Sequence, residues 1–335
     1  MEPEITVLMP NYNNASFLNE AIDSVLNQTF GNFVLLIIDD GSTDNSVEII
    51  RKYNDSRIVL LEKKENSGIV DALNIGLQNT RTKYAIRMDG DDMSGPERFQ
   101  VLYDFMETHP SVGVCGSDIS TFGDTDELWK YELDKDKIKA RLIFNPGVGH
   151  ASCIFRMEVF KKHNILYSNK HAYMEDFDLF SRLKNVTDFG NTGEVLYYYR
   201  ILQHNSTVRN RATIFDRYRK IYKDVLIELG IEPGQRNVEL HFDFFINPDL
   251  SFKISDYKKW LEHLIAQNKI HKIYPQHALE QILDHRWKTF FFKLVPHGIG
   301  ITMRYFWVSR GVSGAQSSYA VKFWIKHALR RNNAS

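Results

Sequence analysis

The first half of the chain alternates short apolar runs with stretches in which apolar residues recur every three or four positions. Ile5–Met9 is an apolar, β-rich run that stops at Pro10. Phe17, Leu18, Ala21, Ile22, Val25 and Leu26 then fall on one face of a helix, with Asn14 or Ser16 available as its cap. Phe33–Ile38 is a continuous apolar run, as in a parallel strand buried on both faces. It breaks into the polar loop Asp39-Asp40-Gly41-Ser42-Thr43-Asp44, where Ser42 or Thr43 can cap a helix running to about Tyr53. The pattern then repeats: a strand at Ile58–Leu61, a turn at Asn66-Ser67-Gly68, a helix over Ile69–Gln78, and a strand at Tyr84–Met88 that ends in Asp89-Gly90-Asp91-Asp92. Pro96 opens a further helix with Phe99, Leu102, Phe105 and Met106 on one face.

Strands alternating with helices of this length predict βαβ units and a parallel sheet. Right-handed crossovers place the C-terminal ends of such strands along one edge, where open α/β sheets bind ligands. Three polar loops fall at such ends: Pro10–Asn14, Asp39–Asp44 and Asp89–Asp92. After Ser111 the pattern is more mixed, with strands expected at Val112–Cys115, Ala151–Phe155 and Val195–Tyr199 and a helix over Tyr173–Leu183. From Ile214 it turns helical, beginning with an amphipathic stretch to Leu229. The expected fold is therefore α/β, a Rossmann-like, mostly parallel sheet flanked by helices, with a helical C-terminal appendage. The expected division is a catalytic domain over 1–210 and a mostly helical region over 211–335.

Composition changes this picture little. With 43% hydrophobic and 25% charged residues the chain is an ordinary globular protein. A formal net charge of zero gives no global reason to expect nucleic acid. The acidic start MEPEITVLMP lacks the features of a signal peptide, and no apolar stretch approaches the ~18–20 residues that span a bilayer. A cytoplasmic protein, or one peripheral at the cytoplasmic face of a membrane, is expected. Cys115 and Cys153 lie in short apolar runs and are expected as buried free thiols.

Asp89-Gly90-Asp91-Asp92 carries the clearest chemistry. Three carboxylates within four residues repel one another unless a cation or hydrogen-bond donors lie between them. Hard cations such as Mg²⁺ and Mn²⁺ take such ligands and share them with substrate phosphates. The alternative is a solvated acidic turn before a helix. Asp39 and Asp40 form a second acidic pair, and an Asp at a strand end can accept from a base N–H or a ribose hydroxyl. No phosphate-binding glycine motif is present, neither G-x-x-x-x-G-K-[ST] nor G-x-G-x-x-G after a strand. A nucleotide would then be held by acidic loops and a metal.

The segments ITVLMPNYN, LLIIDDGSTD, NSG followed by DALNIGL, YAIRMDGDDMSGPERF, NPGVGHASCIFR, YMEDFDLFSRL and YYYR followed by HNST resemble, in this order, the inverting family-2 glycosyltransferases with the glycosyltransferase-A fold. The resemblance covers about Ile5 to Val208. It implies transfer of a sugar from a nucleoside-diphosphate sugar, most commonly a UDP-sugar, to an acceptor hydroxyl of a glycan or lipid-linked acceptor, as in polysaccharide and cell-envelope biosynthesis. It further implies that Pro10, Tyr12, Asn14, Asp39, Asp40, Gly68, Asp89 and Gly90 bind the nucleotide. Asp91, with Asp92 and His204, would hold a divalent metal (Mn²⁺ or Mg²⁺). Asp176, beside Glu175, would be the catalytic base, and His150 and Arg200 would lie near the acceptor or donor sugar. Family members often place the histidine two residues after the arginine; here His204 follows Arg200 by four.

Other readings stay open at this point. Glu175 and Asp176 at a helix start can simply favour the helix dipole, a lone histidine is more often structural than catalytic, and Arg87 and Arg98 read as scaffold or solvated charges. A nucleotidyltransferase would carry a glycine-rich, basic first loop, whereas this one is Pro10-Asn11-Tyr12-Asn13-Asn14. A nucleotide-sugar-binding scaffold is the non-enzymatic alternative. From His285 onward the chain holds nine Lys or Arg and no acidic residue, together with Trp287, Phe290-Phe291-Phe292, Tyr305-Phe306-Trp307 and Trp324. Such a segment either packs its aromatics into a helical appendage or a homodimer, or lies at an anionic membrane surface.

Overall fold

All seven residues of the first strand, β1 (Ile5–Asn11), are buried, as a strand covered on both faces requires. The protein, seen here as a computed structural model, is described over residues 2–171, 173–202, 211–246, 250–309, 316 and 318–323. β1 pairs in parallel with β2 (Phe33–Asp39) on one side and β4 (Tyr84–Arg87) on the other, and β2 pairs in parallel with β3 (Ile58–Glu62). Helices α1 (Leu18–Leu26), α2 (Ser46–Arg51) and α3 (Ile69–Asn79) connect them. The predicted βαβ half is thus present, and its three polar loops share one edge.

Beyond β4 the sheet is mixed. β8 (Ile154–Arg156) runs antiparallel to β4 and to β6 (Val112–Gly123), and β6 runs parallel to the long β9 (Asp188–Ile201). Two strands of two residues complete it: β5 (Met93–Ser94) against β9, and β7 (Leu128–Trp129) against β6. The path is β3-β2-β1-β4-β8-β6-β9-β5, with β7 off it. The pairing that matters most for the site is β5 with Tyr197 and Tyr198 of β9, because it pins the far end of the Asp89–Asp92 loop.

Several local expectations shift for identifiable reasons. Neither Asn14 nor Ser16 caps α1, which starts after Phe17 without a side-chain cap. Ser42 and Thr43 do not cap α2; the Asp44 carboxylate accepts from Ser46 N at 3.0 Å and from Ala15 N at 3.0 Å instead. α4 (Arg98–Thr108) begins two residues after Pro96. α7 (Glu175–Leu183) begins at Glu175, not Tyr173, because Tyr173 has φ +64, a left-handed conformation that ends any helix there. The short α5 (Lys135–Arg141) and α6 (Met157–His163) flank the sheet between β7 and α7.

The chain divides into two compact units, Met1–Arg217 and Tyr218–Ser335. In the first, Leu18, Ile22, Ile37, Ile86, Phe99, Leu102, Cys115 and Ile154 belong to one buried apolar cluster, and both cysteines are free and buried. The second unit is helical: the rest of α8 (Arg211–Glu228), then α9 (Gln235–Phe245), α10 (Ile254–His271), α11 (Gln276–Leu294) and α12 (Ile299–Ser309). Its core is aromatic. Phe244 packs on Tyr257, Trp287 and Phe290, with Trp287, Phe290 and Phe291 all buried. Part of the aromatic run after His285 is therefore core. No described helix is long and apolar enough to cross a membrane.

Candidate active site

Asp39 is the last residue of β2 and lies opposite Asn11, the last residue of β1. Asn11 Nδ2 donates to its Oδ2 at 2.8 Å; Ser42 donates through its backbone N to Oδ1 at 2.9 Å and through Oγ to Oδ2 at 2.7 Å. Three donors lock one carboxylate in place at the sheet edge. The turn that allows this needs Gly41, whose φ is +73 and whose missing Cβ would lie 2.7 Å from the Glu65 carbonyl carbon.

Pro10 is buried within β1, and Tyr12 follows it, largely exposed. Asn14 reaches the aspartate loop: a Cβ on Gly90 would meet its Nδ2 at 2.9 Å and Asn11 Oδ1 at 3.1 Å. Glycine at position 90 is what lets these two loops touch. Asp40 turns the other way and is buried; it accepts from Lys63 Nζ, from Ser67 N at 3.1 Å and from Gly68 N at 2.8 Å. It thereby holds the turn at Gly68 (φ +92), from which α3 starts.

The aspartate loop gives its three carboxylates different surroundings. Asp89 pairs with Arg87, and its backbone N donates to Tyr197 Oη at 3.2 Å. Asp92 is buried and accepts on both oxygens, from Tyr197 Oη at 2.8 Å and from Arg200 N at 2.7 Å. Burial first, then Asp89 and Asp91, push its carboxyl up to about 8. Among the described residues no other residue donates a hydrogen bond to the Asp91 carboxylate, and burial followed by the Asp89 charge raise it to about 6. Asp91 is thus the carboxylate with free coordinating capacity. Among the described residues no group of three His, Cys, Asp or Glu side chains could hold a metal ion alone. A hard cation at a diphosphate needs only one or two carboxylates, with phosphate oxygens and water completing its shell, and the donor set here fits that requirement.

Arg200 supports the loop from β9. Its Nε donates to Asp91 O at 2.7 Å, it pairs with Glu20 of α1, and its guanidinium lies over Phe17 and Phe122, 4.6 and 4.3 Å from the ring centroids. The structure places it behind the aspartate loop. His204 lies outside the described residues.

Glu175 and Asp176 open α7. Glu175 Oε2 is buried without a hydrogen-bond partner among the described residues, and burial together with Asp176 pushes the carboxyl up to about 7. Burial raises Asp176 as well, although it accepts from Phe177 N at 2.7 Å. A pair serving only the helix dipole would sit in solvent and stay fully ionised. His150 Nε2 is 2.7 Å from Tyr167 Oη, and burial followed by the Arg87 charge hold the ring well below the usual histidine range, so it is neutral. Asn74 of α3 fixes Tyr167 in turn, accepting from its N at 2.8 Å and donating to its O at 3.0 Å.

Arg87 ties these parts together. Both it and Arg98 are buried, which selects the scaffold reading over the solvated one that the sequence had left beside it. The Arg87 charge acts on Asp91, Glu175, Asp176 and His150 alike, so the β4 end and the start of α7 lie in one electrostatic neighbourhood. Burial opposes its own charge, but Asp89 and Tyr197 outweigh that and keep it protonated. Arg98 donates to Arg87 O at 2.6 Å and Ala151 O at 3.1 Å, with its guanidinium 4.7 Å from the Tyr197 ring centroid. Tyr197, Tyr167, Asn11 and Ser42 also escaped the sequence reading. The only local signal was a charged residue continuing the buried run Tyr84–Ile86.

Comparison with known proteins gives a consistent result. The profile of Glycosyl transferase family 2 matches residues 6–164. An uncharacterized glycosyltransferase of Haemophilus influenzae is 31% identical over 192 residues, covering 50% of this chain and 77% of that protein. Among solved structures, residues 1–349 of TarS from S. aureus, in complex with UDP, superpose with a TM-score of 0.55 at 18% identity, covering 86% of this chain and 90% of the other. The mannosyltransferase PcManGT from Pyrobaculum calidifontis, in complex with GDP-Man and Mn²⁺, gives 0.54 at 13% identity, covering 97% and 87%. At such identities these two likenesses establish the fold. The chain spans 33–66% of the length of several other curated relatives it matches.

Proposed function

The chain belongs to glycosyl transferase family 2 and is a glycosyltransferase, and we propose that it moves a sugar from a UDP-sugar to an acceptor hydroxyl of a glycan or lipid-linked acceptor, with inversion at the anomeric carbon. The observation that carries this reading is the electrostatic neighbourhood centred on Arg87, in which a carboxylate free to ligate, Asp91, shares its surroundings with the buried acidic pair Glu175-Asp176.

Asp39, locked by Asn11 and Ser42, accepts from the base or ribose, with Pro10, Tyr12, Asn14, Asp89 and Gly90 around it. Asp40 acts one step back by fixing the Gly68 turn. Asp91, together with the donor's diphosphate oxygens, would hold a divalent cation whose charge offsets that developing on the departing diphosphate. Asp92, engaged by Tyr197 and Arg200, shapes the loop. Asp176 accepts the proton of the acceptor hydroxyl as its oxygen bonds to the anomeric carbon and the bond from that carbon to the diphosphate breaks. One displacement inverts the centre, and the nucleoside diphosphate leaves with the bonding electrons. His150, neutral and fixed by Tyr167, donates to or accepts from a sugar hydroxyl.

Melting the protein with UDP, GDP, and UDP- and GDP-sugars, each with and without Mn²⁺, tests the donor site. Stabilisation by UDP that requires Mn²⁺ is expected; a GDP-only response would reassign the base, and no response to any nucleotide would overturn the donor site. The anomeric configuration of a product made from an accepted donor, read by NMR, decides inversion.

A further inference from the structure

The helix α12 (Ile299–Ser309) is held by one face. Tyr305 is buried, stacks 4.7 Å from Trp287, packs edge-on against Phe291 at 5.2 Å, and donates from its hydroxyl to Trp287 O at 2.9 Å. Trp287 Nε1 donates to Ser309 Oγ at 2.9 Å at the end of the same helix. These contacts fix the rotation of α12 and turn its opposite face outward. That face is apolar: Ile299, Met303, Phe306 and Trp307, spaced at i, i+4, i+7 and i+8, are exposed by 60%, 47%, 39% and 74%. Farther along the chain Tyr319 and Val321 are exposed as well. A helix normally buries this stripe; here the buried side is opposite it, and a cluster of large exposed apolar residues marks an interaction surface.

We propose that this face of α12 lies in the surface of an anionic membrane, with Trp307 and Phe306 inserted at the level of the headgroups. Charge selects this occupant over a protein partner. Arg304 is exposed on the same helix and Lys322 is exposed farther along the chain, and no residue from His285 to the end of the chain is acidic, against nine Lys or Arg. Interfacial helices combine an aromatic-aliphatic face with basic flanks, and each basic residue near an anionic surface adds to the attraction. The inference does not depend on the donor site: a chain that bound no nucleotide could still dock in this way.

Full-length protein would be sedimented with large vesicles of phosphatidylcholine alone or mixed equally with phosphatidylglycerol, at low and high salt. Binding to the mixed vesicles is expected to exceed binding to phosphatidylcholine by at least tenfold and to weaken as salt rises. The double substitution Phe306→Ser/Trp307→Ser, on exposed positions that leave Tyr305 in place, should lower it at least tenfold with unchanged circular dichroism. Arg304→Glu should lower it several-fold through charge alone. Equal sedimentation with and without the anionic lipid, or a double variant that binds like wild type, overturns the proposal. So does a vesicle-free dimer, seen by analytical ultracentrifugation, that the double substitution dissociates; a second copy of the chain would then be the occupant.

Discussion

Replacing Asp91 by asparagine separates the chemistry of the loop from its effect on folding. In the unliganded fold, burial and Asp89 hold the Asp91 carboxyl at about 6 instead of 3.8. Keeping it ionised at neutral pH therefore opposes folding by roughly 3 kcal/mol, because each tenfold change in proton affinity is about 1.4 kcal/mol. Relaxation and water at a half-buried site reduce this, so Asp91→Asn should stabilise the metal-free protein by about 1–3 kcal/mol. The backbone bond from Arg200 Nε to Asp91 O survives the exchange. A carboxyl whose folded value is raised contributes stability at low pH that is lost as pH climbs through that value. The advantage of the variant should therefore be absent below about pH 4 and complete above about pH 7. Melts in EDTA across this range read it directly, at about 2–4 °C per kcal/mol for a unit of this size. Adding UDP and Mn²⁺ should cancel most of that advantage or reverse it, since a ligand at a hundredfold excess over its Kd adds roughly 2.7 kcal/mol to wild type alone. An asparagine variant that melts below wild type in EDTA at neutral pH, or that gains as much from UDP and Mn²⁺, would refute the reasoning.

Asp92 is read near pH 4, where its raised carboxyl is protonated in the fold and little of the burial cost of its charge remains: there Asp92→Ala strips a buried partner from Tyr197 Oη and Arg200 N and should cost about 2–5 kcal/mol in urea unfolding; an unchanged midpoint would remove Asp92 from the loop's scaffold. Asp176→Asn should lower kcat by roughly 10²–10⁴ while leaving nucleotide stabilisation intact; if Glu175→Gln does so instead and Asp176→Asn does not, the base is Glu175. Because the base must be ionised and burial raises the Asp176 carboxyl, kcat/KM should fall along an acid limb that lies above the ordinary aspartate range; a wild-type limb at or below about pH 4 contradicts the assigned surroundings. Arg87 lowers both carboxyls of the pair, so Arg87→Met should move that acid limb upward, and an unmoved limb would take Arg87 out of the site.

The acidic half of the site was legible because acidic residues interrupt apolar periodicity. Asp39 and Asp89 each end a buried run, and βαβ order alone sends both to one sheet edge. What held them was not legible, because each partner sits inside a pattern that reads as something else. Arg87 continues the strand begun at Tyr84, Arg98 opens an amphipathic helix, and Asn11 ends a strand. Tyr197 and Asp92 are 105 positions apart. They meet because β5, a strand of two residues with no period of its own, pairs with β9. The same pairing explains why Asp91 and Asp92, adjacent and chemically identical in the sequence, differ in the fold: the β9 side supplies Tyr197 and Arg200 to Asp92 and leaves the neighbouring carboxylate without a donor. Cations are present behind the loop, with Arg87 committed to Asp89 and Arg200 to Glu20 and the Asp91 carbonyl. Within the loop the negative charge left over is therefore concentrated on Asp91, which supports the proposal that a nucleoside diphosphate binds there in company with a cation.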